Sequence, residues 1–107
     1  MKRDELMELL SKANIMTRYK HGPCKLYGFL NGPQIEKAAW GNGYSVSCDV
    51  MTSRCADSIT EKKIIRVSQN GQAVDIGSGK TWADALMNSE YLMTVIKQRA
   101  MVRVVTD

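Results

Sequence analysis

A chain of 107 residues, 44% apolar and 24% charged, has the composition of one small globular domain with a single modest core. No apolar run approaches the ~20 residues that span a bilayer, and the amphipathic N-terminus lacks the continuous apolar core of a signal peptide. The three cysteines, Cys24, Cys48 and Cys55, show no CxxC spacing, which argues against a disulfide framework and predicts a cytosolic protein, while the net charge of +4 permits an acidic partner without demanding one.

In chain order, Arg3 to Met16 reads as an amphipathic helix. Leu6, Leu9, Leu10 and Ala13 form its apolar stripe, Asp4 is a candidate N-cap, and Met7 and Ile15 widen the stripe. A face this broad is either buried throughout or shared with a partner. A basic turn follows, marked by Gly22-Pro23. Up to Lys25, the cations Lys2, Arg3, Lys12, Arg18, Lys20 and Lys25 outnumber Asp4, Glu5 and Glu8 by three, so most of the net charge lies at this end. Leu26 to Leu30 has the makings of a short strand.

Residues 33–41 admit two readings. A helix would place Pro33 at its first position and Gly41 past its end, with Ile35, Ala38 and Ala39 inward. A strand would instead run through Trp40 and turn at Asn42-Gly43. Either way Tyr44 to Met51 is a strand, with Tyr44, Val46, Cys48 and Val50 on one face. Thr52 to Lys62 is polar and predicts a loop.

Asn70-Gly71 lies between the β-prone runs 64–68 and 73–76 and predicts a type I′ hairpin. The simplest register pairs Val67 with Val74, Arg66 with Asp75 and Ile65 with Ile76, putting Ile65, Val67, Val74 and Ile76 on the core face. Gly77-Ser78-Gly79 should break the strand. Thr81 to Asp84 reads as a capping box opening a helix, with Trp82, Ala85, Leu86, Ser89, Met93 and Ile96 inward. This helix runs to Arg99, or restarts at Asn88-Ser89 with a kink. Met101 to Val105 suits a last edge strand. Without βαβ alternation, the order predicts an α+β domain: a mainly antiparallel sheet of three to four strands, with N-terminal and C-terminal helices packed on one face.

Candidate chemistry is sparse. Gly77 to Thr81 resembles part of a phosphate loop, but Val74 stands where that motif needs its first glycine. His21, Cys24, Cys48 and Cys55 have the ligand types of a zinc site. The Cys48–Cys55 spacing is atypical for zinc, and the apolar alternation around Cys48 points to a core thiol. His21 and Cys24 lack a third group that would make them a catalytic pair. Arg18, Tyr19, Lys20 and Lys25, with Tyr27 nearby, interleave cations and aromatics as nucleic-acid-binding segments do. No catalytic set and no cofactor site emerges.

Ile64 to Val67, Asn70-Gly71, Gly77 to Thr81 and Ala83 to Ala85 together resemble the end of a double-stranded-RNA-binding domain. The resemblance spans residues 64–85. It implies an α-β-β-β-α order and, at Lys80, a phosphate contact from the start of the last helix. Thr81, Trp82 and Asp84 stand where that family carries further cations, and residues 26–62 exceed its usual length. The chain also resembles small accessory proteins of phages and mobile elements in its compact character. These readings predict a small non-enzymatic binding or regulatory protein acting by protein–protein contact through its broad apolar helices. The alternative is RNA or DNA binding through the basic turn and Lys80.

Overall fold

The computed structural model describes residues 1–16 and 30–106, the last five of these by backbone alone. Its order is α1 (Arg3–Lys12), α2 (Gly32–Lys37), β1 (Tyr44–Cys55), β2 (Ser58–Gln69), β3 (Gln72–Gly79), α3 (Trp82–Met87) and α4 (Glu90–Thr106). The strands form one antiparallel sheet in the order β1-β2-β3. Helices α3 and α4 contact the sheet, α1 packs on both of them, and α2 lies against β1. The α+β class follows as expected.

The core fills the space between helices and sheet. Leu6, Met7 and Leu10 of α1 meet Ile65 and Val67 of the sheet and Leu86, Leu92 and Ile96 of the last two helices. Met7 and Ile15 are buried, so the broad face of α1 is occupied within the molecule. The helix ends at Lys12, with Asn14 at φ 57° in the turn beyond it. Lys2 rather than Asp4 occupies the N-cap position, without a side-chain cap.

Of the two readings for 33–41, the helix holds for its first part. Asn31 accepts from the Gln34 N–H at 2.9 Å, while the Gln34 side chain accepts from the Asn31 N–H at 3.2 Å. After Lys37 the chain straightens. Trp40 is then buried to 3% exposure and donates from Nε1 to the Ile35 carbonyl at 2.7 Å.

Asn70 and Gly71 adopt φ 52° and 86°, as the two-residue turn requires. The register holds for Gln69–Gln72 and Ser68–Ala73, then shifts. Val74 is an extra residue, a β-bulge, so Val67 faces Asp75, Arg66 faces Ile76 and Ile65 faces Gly77. This overturns the expected pairing of Val67 with Val74 and of Arg66 with Asp75. Val74 and Ile76 are exposed, at 40% and 62%. Arg66 instead pairs with Asp49 across the β1–β2 ladder.

Three other expectations give way. Thr52–Lys62 is no loop but the outer half of two twelve-residue strands. Gly77 and Gly79 belong to β3. A Cβ on Gly77 would come within 2.3 Å of the Ala85 carbonyl, so the glycines admit α3 close to the strand. Met101 to Val105 continues α4, which runs unbroken from Glu90 to Thr106, since a helix once begun adds one backbone hydrogen bond per residue. The break at Asn88-Ser89 does divide α3 from α4.

Candidate protein-contact site on the outer half of the first hairpin

The residues proposed from sequence do not assemble into one site among the described residues. Arg18, Tyr19, Lys20, His21, Cys24, Lys25 and Tyr27, with residues 26–29 of the strand expected over Leu26 to Leu30, lie outside them. Lys80 is exposed at the β3–α3 junction. Helix α3 begins there with Thr81 Oγ1 accepting from the Asp84 N–H at 3.1 Å. Cys48 and Cys55 sit seven residues apart on β1, which places them on opposite faces and about 23 Å apart at the rise of an extended strand. Strand β1 therefore does not bring these two thiols to one metal ion. Among the described residues, no group of three or more His, Cys, Asp or Glu is placed to hold a metal.

Cys48 is half-buried beside Gly32. Its backbone N–H donates to Glu36 Oε2 at 2.7 Å. Burial, then the Glu36 and Asp49 carboxylates, push its thiol up to about 12. It is a protonated packing group at neutral pH, with no nucleophilic character.

Two open clefts have local explanations. One, of about 430 Å³, is lined by Tyr44, Val74, Asp75, Glu90 and Tyr91 among others. Asp75 of β3 holds the start of α4, and Glu90 is the first residue of that helix. Asp75 Oδ2 accepts from Ser89 Oγ at 2.8 Å and the Tyr91 N–H at 3.0 Å. Ser89 Oγ accepts in turn from the Leu92 N–H at 3.3 Å. The other, of about 590 Å³, lies between Met1, Met87 and Met93 with Asp84, Glu90 and Lys97 at its rim. Neither combines a nucleophile with a base.

The feature that the core does not explain is the outer half of the β1–β2 hairpin. From Asp49 through the Ala56-Asp57 turn to Lys62 every residue is exposed. The pairing nevertheless continues without a register shift, Val50 to Lys63 down to Cys55 to Ser58. Ala56 takes φ 54° in the turn, and Ser58 Oγ donates to the Cys55 carbonyl at 3.0 Å. At the root, Lys63 bridges to Glu61 at 3.2 Å and lies 5.7 Å from the centre of the Trp82 ring. Trp82 itself is half-buried against Gly32. The arm carries Val50, Met51 and Ile59 into solvent, Ile59 at 60% exposure. Its charges are mixed: Arg54, Lys62 and Lys63 against Asp49, Asp57 and Glu61. No family model, curated protein or solved structure matches the chain.

Sequence reasoning missed this arm because alternation of apolar and polar residues reports burial of one face. Here neither face is buried. The β-branched residues Val50, Thr52, Ile59 and Thr60 were the remaining signal.

Proposed function

We propose that this is a small cytosolic, non-enzymatic binding protein that acts by protein–protein contact, with the outer half of the β1–β2 hairpin as its contact surface. One observation carries the reading: a regularly paired arm supplies no core residue yet exposes three large apolar side chains. A solvated two-stranded ribbon is marginal by itself, and apolar groups displayed on one suit an interface. The helices do not serve this reading, since their broad faces are covered by the core. No helix among the described residues is long and apolar enough to cross a membrane.

The test is capture from extract with the wild-type chain and with a Met51→Asp, Ile59→Asp double variant. Both positions are exposed, so the variant should melt like wild type. Loss of the captured protein is the expected result. Equal capture by a normally folded variant would remove the arm from the contact.

A further inference from the structure

The sheet ends in two edge strands, β1 and β3, and they are treated differently. In an antiparallel pair, successive residues direct their backbone groups alternately toward and away from the neighbouring strand. On β3, the Ile76 N–H is held by Asp75 Oδ1 at 2.9 Å and the Ser78 carbonyl by Asn88 Nδ2 at 2.7 Å. The Val74 bulge further disrupts that edge.

On β1, the Tyr44 N–H donates to the Gly41 carbonyl at 3.4 Å and the Cys48 N–H to Glu36 at 2.7 Å. Even-numbered residues of β1 therefore point away from β2. Because the β1–β2 register is unbroken, Val50, Thr52 and Arg54 present their N–H and C=O groups along the same edge. Among the described residues no side chain covers this stretch. It has no bulge and no proline. It is bounded on one side by the Glu36 contact at Cys48 and on the other by the Ala56-Asp57 turn.

We infer that this edge pairs antiparallel with the same edge of a second copy, about a two-fold axis through Thr52, to make a continuous six-stranded sheet. The inference rests on the arm being a contact surface and specifies its occupant. The length of the open edge selects the register. A two-fold axis at Thr52 is the symmetric arrangement that sets all of 50–54 against 54–50 of the second copy. It places Thr52 against Thr52, a favourable cross-strand pair, and Val50 against the second copy's Arg54. No like charges fall directly opposite each other. Lys63, one strand further in, is engaged with Glu61. The outer half of the arm is exposed on both faces, so two arms can approach edge to edge without a clash of cores.

The decisive variant is Thr52→Pro. The Thr52 N–H lies outside the β1–β2 ladder, so proline removes an edge donor and leaves the hairpin bonds in place. Sedimentation over a concentration series should show a monomer–dimer equilibrium for the wild type, with the dissociation constant raised tenfold or more by Thr52→Pro at unchanged circular dichroism. Hydrogen exchange on the wild type gives a reading that needs no variant. The amides of Val50, Thr52 and Arg54 should slow as concentration rises, while those of Met51 and Ser53, bonded within the hairpin, stay unchanged. A monomer up to millimolar concentration with fast exchange at all three edge amides would overturn the pairing. If that monomer still loses its captured partner on Met51→Asp, Ile59→Asp, the contact surface stands and only the second copy is refuted. Dimerisation by a folded Thr52→Pro variant with wild-type affinity would also refute it.

Discussion

Asp75 joins the sheet to the last helix. Helix α4 starts with unsatisfied N–H groups, and the bulge at Val74 turns the Asp75 carboxylate toward them. Burial raises the acid's pKa, but hydrogen bonds from the Tyr91 N–H, Ser89 Oγ and the Ile76 N–H outweigh it, and the net shift is downward. A carboxyl whose folded pKa lies below its unfolded value stabilises the fold above the unfolded pKa, roughly pH 4. That contribution is lost as pH falls through the folded pKa. Asp75→Ala should cost about 1 kcal/mol at neutral pH, as loss of a helix cap does. Denaturant unfolding across the acid range should also show a shallower loss of stability for the variant than for wild type. The cysteines give a second test at this scale. With the Cys48 thiol at about 12 and half-buried, and Cys55 exposed at the arm's end, alkylation near neutral pH followed by peptide mass mapping should find Cys55 modified and Cys48 spared. Prompt labelling of Cys48 in the folded protein would contradict its packing beside Gly32 and Glu36.

At the scale of elements, local chemistry was legible where local chemistry decides. Asn70-Gly71 specifies its turn through positive φ, and Pro33 marked a helix start, though a strand through Trp40 stayed open until the Asn31–Gln34 capping box decided for the helix. The bulge was not legible, because Ala73, Val74, Asp75 and Ile76 make a sound strand pattern without it. What selects it is the need for a carboxylate at Ser89 and Tyr91, which lie 14 and 16 residues further along the chain. The two tryptophans show the same limit. Trp82 falls on the inward spacing of its helix but is only half-buried, beside Gly32 and Lys63. Trp40, from a segment without a periodic pattern, is the one sealed in the core. Trp40→Ala should therefore cost roughly 3–5 kcal/mol, and Trp82→Ala, packed at the margin of the core, somewhat less. Each kcal/mol moves the melting temperature of a domain this size by about 4–8 °C, so thermal denaturation ranks the two variants. A larger loss for Trp82→Ala would reverse the assignment.

For the whole molecule, the division between a packed body and an exposed arm predicts that stability and contact are separable. The core draws on α1, α2, α3, α4 and the inner halves of β1 and β2, and none of its buried residues lies between Asp49 and Lys62. Excising 52–55 together with 58–61 leaves Met51 and Lys62 flanking the Ala56-Asp57 turn. Four pairs are removed, an even number, so the flanking residues keep the bonding phase that Cys55 and Ser58 now have, and the turn closes on a hydrogen-bonded pair. The removed residues are exposed, so little apolar burial is lost, and shortening the ribbon lowers the chain entropy that folding must overcome. The shortened protein should unfold cooperatively within about 1 kcal/mol of wild type, inside the range of ordinary surface changes. It should also fail to capture the protein that the full chain captures. Calorimetry and capture read the two properties independently. A shortened chain that no longer folds would show that the arm is part of the structural core, and the assignment of its exposed residues to contact would lose its basis.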